Sequence, residues 1–198
     1  MGLDSVALLV DVEKHFNISI PNSEAEKICT VQDFADCVFT KVSFRPSQKC
    51  KSQILIYRFR EFFASNLDIG RNEFTPNKKL SHLIPFNELK KVWKEMEKHL
   101  SVKLPDLSEL DFNRTKEKEV KILGFKFWTR KAPVTDGTVG DLVNWTLSLN
   151  HERFLDPRNL FSRADIERII IGIITESLGI PVDEIKLSHS ITDDLGVD

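Results

Sequence analysis

The sequence has no cysteine pair at metal or redox spacing. Its three cysteines, Cys29, Cys37 and Cys50, form no C-x-x-C, and their odd number argues against a secreted disulfide framework. A reduced, cytoplasmic setting is expected. It lacks a long apolar run: Ile169–Ile174, interrupted by Gly172, is far too short to span a bilayer. No signal-peptide pattern opens the chain. Met1-Gly2 is not followed by the Ser or Thr that myristoylation requires, because position 6 is Val6. His15, His82, His99, His151 and His189 are scattered, and none stands at ligand spacing from a cysteine or another histidine. Neither Ser5 nor any cysteine sits in a nucleophile-and-base context. These absences disfavour an enzyme, a structural metal site and a membrane protein. His15 and His99 hold matching helix-end positions and read as surface groups or as partners of the negative helix end rather than as ligands.

What is present is an ordinary globular composition, 41% hydrophobic and 29% charged, with an uneven charge distribution. Residues 1–42 carry −4 and residues 160–198 carry −5, whereas 43–159 carry +7. Acidic flanks enclose a basic centre, which hints that the flanks belong together.

The periodicity is helical throughout. Val6, Leu8, Leu9, Val12 and Phe16 make one stripe over 5–16, with Asp4 as the expected N-cap. Ser23–Ile28 suits a short helical turn. Thr30 caps a further helix with Val31, Phe34 and Val38 inward, and Ser162 caps one over 163–178 that Gly179 and Pro181 stop. Beyond it, Ile185, Leu187, Ile191 and Leu195 anchor a long loop. The fold class expected is all-α, two helical bundles, with a small β-hairpin near 119–130 in "EVKILGFKFWTR".

The chain repeats its own phrases. "EKHFNISIP" (13–21) is echoed by "EKHLSVKLP" (97–105), "TVQDF" (30–34) by "TVGDL" (138–142), and "LGIPVDEI" (178–185) more weakly by "LDIGRNEF" (67–74). Residues 52–150 therefore read as a second, diverged copy in uninterrupted order, with an insertion around 112–137. The first copy is split: its later part precedes its earlier part only if 160–198 is joined to 1–42. Leu195-Gly196-Val197-Asp198 overlies Met1-Gly2-Leu3-Asp4. The domains expected are 1–42 with 160–198, and 43–159.

"DDLG" (193–196) and "GLDSVALL" (2–9) resemble the modification motif of acyl carrier proteins; "NISIP" (17–21), "TVQDF" and "ESLGIPVDEI" are similar to the same family's segments. The resemblance covers the split copy well and 52–150 weakly. It implies a carrier rather than a catalyst. Ser5 matches the serine that takes 4′-phosphopantetheine from a separate phosphopantetheinyl transferase, and Asp4 matches its acidic neighbour. Val6 stands where Leu is usual. The implied partners are that transferase and enzymes of fatty-acid, polyketide or related lipid synthesis, with no nucleic acid and no membrane. Asp4, Asp11 and Glu13, exposed on helix 5–16 beside Val6, are the expected docking surface. The physics is consistent: a serine in a helix's first turn lies beside unpaired N–H groups that favour a phosphodiester.

In the second copy Ser5 aligns with Leu89, or with Glu88 counted from the loop, so that copy has no acceptor hydroxyl. Phe125–Lys131 mixes aromatics and bases, a pattern that suits contact with nucleic acid or membrane, and it reads rather as a hairpin packing on its own bundle. Lys90, Lys91, Lys94 and Lys98 share a helix face, either solvated or docking an acidic protein. Three arrangements join the split copy: a circular permutation with the second bundle inserted, a homodimer exchanging halves, or a segment of a repeating array. The competing function is a carrier-like scaffold never modified at Ser5.

Overall fold

The computed structural model describes residues 3–44, 50–113, 132–160 and 162–197. Among these, nine α-helices follow in chain order: α1 Leu3–Phe16, α2 Asn22–Ala25, α3 Val31–Phe39, α4 Lys51–Leu67, α5 Leu89–Leu100, α6 Glu109–Phe112, α7 Val139–Leu149, α8 His151–Phe154 and α9 Arg163–Leu178. The fold is all-α; β pairing among the described residues is limited to isolated bridges. No helix there is long and apolar enough to cross a membrane. The hairpin expected at 119–130 and the aromatic-basic stretch 125–131 lie outside the described residues.

The chain divides into two compact units, Met1–Lys51 with Leu147–Asp198, and Ser52–Thr146. In the first, α9 packs on both α1 and α3. Its start and stop are local chemistry. Ser162 and Asp165 form a reciprocal capping box, and Gly179 ends the helix at φ +68, its amide donating to the Thr175 carbonyl. Ile166, Ile169, Ile170, Ile173 and Ile174 bury its face. They meet Leu8, Val12 and Phe16 of α1, spaced four apart, and Val31, Phe34 and Val38 of α3. The loop after α9 contributes Ile185, Ile191, Leu195 and Val197 to the same core, with Leu187 partly buried against it.

That loop is tied to the start of α3. Thr30 and Ser190 form an antiparallel bridge. The amides of Val31 and Gln32 donate to the carbonyls of His189 and Leu187, and that of Ile191 to Cys29. Thr30 and Asp33 make a second capping box.

The second unit repeats these contacts at the echoed positions. Lys79 and Thr138 form an antiparallel bridge. The amides of Val139 and Gly140 donate to Lys78 and Pro76, and that of Leu80 to Gly137. The Thr138 amide and hydroxyl donate to the Asp141 carboxylate, and the Asp141 amide donates to the Thr138 hydroxyl. At the end of α5, Ser101 turns left-handed at φ 53, and the Glu97 carboxylate accepts from the Leu104 amide. At the end of α1, Asn17 does so at φ 51, and Glu13 accepts from Ile20. Asp68, after α4, has φ 53 where Gly179 follows α9. The unit's core is aromatic-rich, with Phe59, Phe62, Phe63, Phe74, Trp93 and Met96 buried. The Trp93 indole donates to the Pro105 carbonyl at 2.9 Å.

Three local expectations need correction. Asp4 lies inside α1, which already includes Leu3, and so is not its N-cap. Val6 leaves the buried stripe: it is 45% exposed, because the core meets α1 along Leu8, Val12 and Phe16, with Leu9 partly buried against it. The short helix of 23–28 is confined to Asn22–Ala25.

Candidate functional site

The first turn of α1 holds Asp4, Ser5 and Val6. The opening amides of a helix lack intrahelical acceptors, and the helix dipole adds partial positive charge there. Leu8 and Leu9 lie three and four residues beyond Ser5, on the face that reaches the core. Ser5 is consequently half-buried at the core's edge, whereas Asp4 and Val6 face outward.

Beside Ser5 opens a groove of about 470 Å³. Leu8, Phe34 and Ile191 line it with apolar surface, and Cys29, Thr192 and Asp193 with polar groups. The wall from 190–193 is held by its own turn: the Ser190 amide donates to the Asp194 carboxylate, and the Asp193 amide to the Ser190 hydroxyl. Residues from opposite ends of the sequence thus share one concavity with Ser5. Such a site can place an anion at the α1 amides while an apolar chain lies in the groove.

The expected docking residues separate. Asp11 is exposed and accepts from the Ser177 hydroxyl at 3.1 Å. Glu13 is only half-buried rather than exposed, because its carboxylate turns back to the Ile20 amide and fixes the exit from α1. The outward surface near Ser5 is therefore Asp4, Val6 and Asp11. Cys29 and Phe34 were not marked by the sequence pattern as groove residues. The available signal was their position around the Thr30 cap, which turns the chain at the groove wall.

The cysteines differ. Cys29 is exposed, whereas Cys37 is half-buried. Burial pushes the Cys37 thiol above its ordinary value, and the nearby Glu24 carboxylate adds to the effect. His15 is not a surface group. Burial lowers its pKa, the neighbouring His151 lowers it further, and Glu152 opposes them.

In the second unit the aligned position is closed. Leu89 is 2% exposed and belongs to the core, while Glu88 is exposed but has no hydroxyl. Lys90, Lys91, Lys94 and Lys98 are all exposed on α5.

Over 42 residues, 21% of the chain, the sequence is 49% identical to the acyl carrier protein of Thermosynechococcus vestitus, covering 52% of that protein. Over 40 residues, 20% of the chain, it is 42% identical to the acyl carrier protein of Chlorobium phaeobacteroides, covering 51% of it. The chain spans about half the length of these curated relatives. No family model matches the chain, and no solved structure does. A fifth of the chain is therefore acyl-carrier-like.

Proposed function

We propose that the unit built from residues 1–42 and 160–198 is an acyl carrier, modified on the Ser5 hydroxyl with 4′-phosphopantetheine. When bound, that group supplies a terminal thiol that holds an acyl chain as a thioester. The chain's own residues fit such a group. The first amides of α1 favour its phosphodiester, and Leu8, Phe34 and Ile191 offer apolar surface beside it. Asp4, Val6 and Asp11 give a modifying transferase and acyl-synthesis enzymes an exposed face of mixed acidic and apolar character.

The observation that carries the reading is the shared wall of the groove. Ser5 on α1 and 190–193 beyond α9 line one cavity, and the Thr30–Ser190 bridge ties that wall to the start of α3. Union within one chain and exchange of halves between two chains both build this wall, and the molecular mass in solution separates them. The second unit is read as a diverged carrier-like repeat. Its recurring bridge, caps and left-handed turns support common descent, and buried Leu89 removes the acceptor.

Incubation with coenzyme A and a broad-specificity phosphopantetheinyl transferase tests the proposal. Intact-mass analysis should show one added phosphopantetheine, absent in Ser5→Ala. A helical, folded protein that gains no mass overturns the carrier reading and leaves an unmodified scaffold.

A further inference from the structure

At the opposite end of α1 from Ser5, the fold assembles a second constellation. His15 is in the last turn of α1, His151 opens α8, and Glu176 lies in the last turn of α9. The rings of His15 and His151 stand 5.0 Å apart, centre to centre. One ligand atom each from His151, Glu152 and Glu176 fall within 4.8 Å of one another. The Nε2 atom of His15 is buried and has no hydrogen-bond partner.

His151 is held as a ligating histidine is held. It is 1% exposed, and its Nδ1 lies 2.9 Å from the Ser148 carbonyl. A carbonyl can only accept, so Nδ1 donates to it, which leaves Nε2 as the nitrogen that can ligate a metal. The helix opposite is shaped for this pose. A Cβ at Gly172 would lie 2.4 Å from His151 Nδ1 and 2.3 Å from the Ser148 oxygen. Glycine is unfavourable inside a helix, so its use in mid-α9 marks the ring position as one the fold accommodates.

We infer that His151, Glu152 and Glu176 bind a divalent cation of the zinc class, with His15 packed beside them. An imidazole with two carboxylates suits a borderline transition ion. Calcium and magnesium prefer sites built wholly of oxygen. Such an ion would tie α8 to α9, and it is independent of any modification at Ser5.

The untagged, metal-free full chain, its cysteines alkylated, is titrated with zinc chloride and followed by calorimetry and thermal melting. One equivalent should bind and raise the melting temperature, since an ion held only by the folded state stabilises it. Cobalt(II) in zinc's place should give tetrahedral visible bands without a sulfur charge-transfer absorption. His151 is buried and its variants risk misfolding, so the decisive variant is the exposed pair Glu152→Gln with Glu176→Gln. It should weaken zinc at least tenfold while keeping the metal-free melting temperature. Absence of saturable binding, or binding unchanged in the double variant, overturns the inference.

Discussion

Thr30 and Ser190, from distant parts of the sequence, face each other across an antiparallel bridge. Around that bridge the loop beyond α9 lays Ile191, Leu195 and Val197 into the core beneath α1. The loop is thus part of the first unit's interior. Leu195 is 6% exposed, and Leu195→Ala should cost about 2–5 kcal/mol, the usual range for a buried leucine. Amide exchange should show lost protection in α1, α3 and α9, with α5 retained. Equal loss in α5, or none in α1, would contradict a core shared in this way.

The Thr30 cap provides a second check. Thr30→Ala should destabilise the protein by about 1 kcal/mol in chemical denaturation, as loss of a helix cap does. The hydrogen bond with the Thr30 side chain, then the amides of Thr30 and Cys29, holds the Asp33 carboxyl below the usual carboxylate range. A carboxyl depressed in the folded state adds stability above its unfolded pKa and loses it as pH falls through the folded value. Melting curves taken into the acid range should therefore converge for the parent and Asp33→Asn. A gap that widens with acid would reverse the assigned sign.

Gly172→Ala sets two effects against each other. Alanine gains about 1 kcal/mol over glycine inside an exposed helix. Here the added methyl would meet the Ser148 oxygen and the His151 ring at 2.3 and 2.4 Å. Neither neighbour is a flexible side-chain end, so overpacking should win by about 1–3 kcal/mol, measured by denaturant unfolding. A stabilised variant would show that α8 does not press on α9 as described.

Thiol chemistry should distinguish Cys29, before the Thr30 cap, from Cys37 within α3. At mildly alkaline pH a maleimide should label exposed Cys29 well before Cys37, whose thiol is raised by burial and by Glu24. Glu24→Gln should speed Cys37 labelling by removing the anion. Because Cys29 lines the groove beside Ser5, its label should also slow modification there. Peptide mapping with mass spectrometry reads all three outcomes, and equal rates at the two thiols would contradict the assigned environments.

Much of this was legible because the signals are local. Ser162 with Asp165, and Gly179 before Pro181, bound α9 at Arg163 and Leu178. Thr30 with Asp33 did the same for the start of α3. What escaped depends on contacts that periodicity does not encode. Val6 keeps helical spacing but faces away, since the core takes a narrower stripe. Glu13 reads as a surface acid until its carboxylate is found capping the Ile20 amide. His15 and His151 share no sequence spacing, and only the packing of α1 near α8 pairs them. In the second unit, buried Asp111 accepts from the amide and hydroxyl of Thr135. Its own neighbourhood shows only the Ser108 capping box at the start of α6 and gives no sign of the Thr135 contact.

The central claim is that Ser5 carries the arm, and it is tested most directly by locating the modification. After reaction with coenzyme A and transferase, trypsin should release the peptide ending at Lys14, and fragmentation should place phosphopantetheine on Ser5 alone. A modified peptide from any other part of the chain, or an unmodified 1–14 peptide from folded protein, would contradict the account.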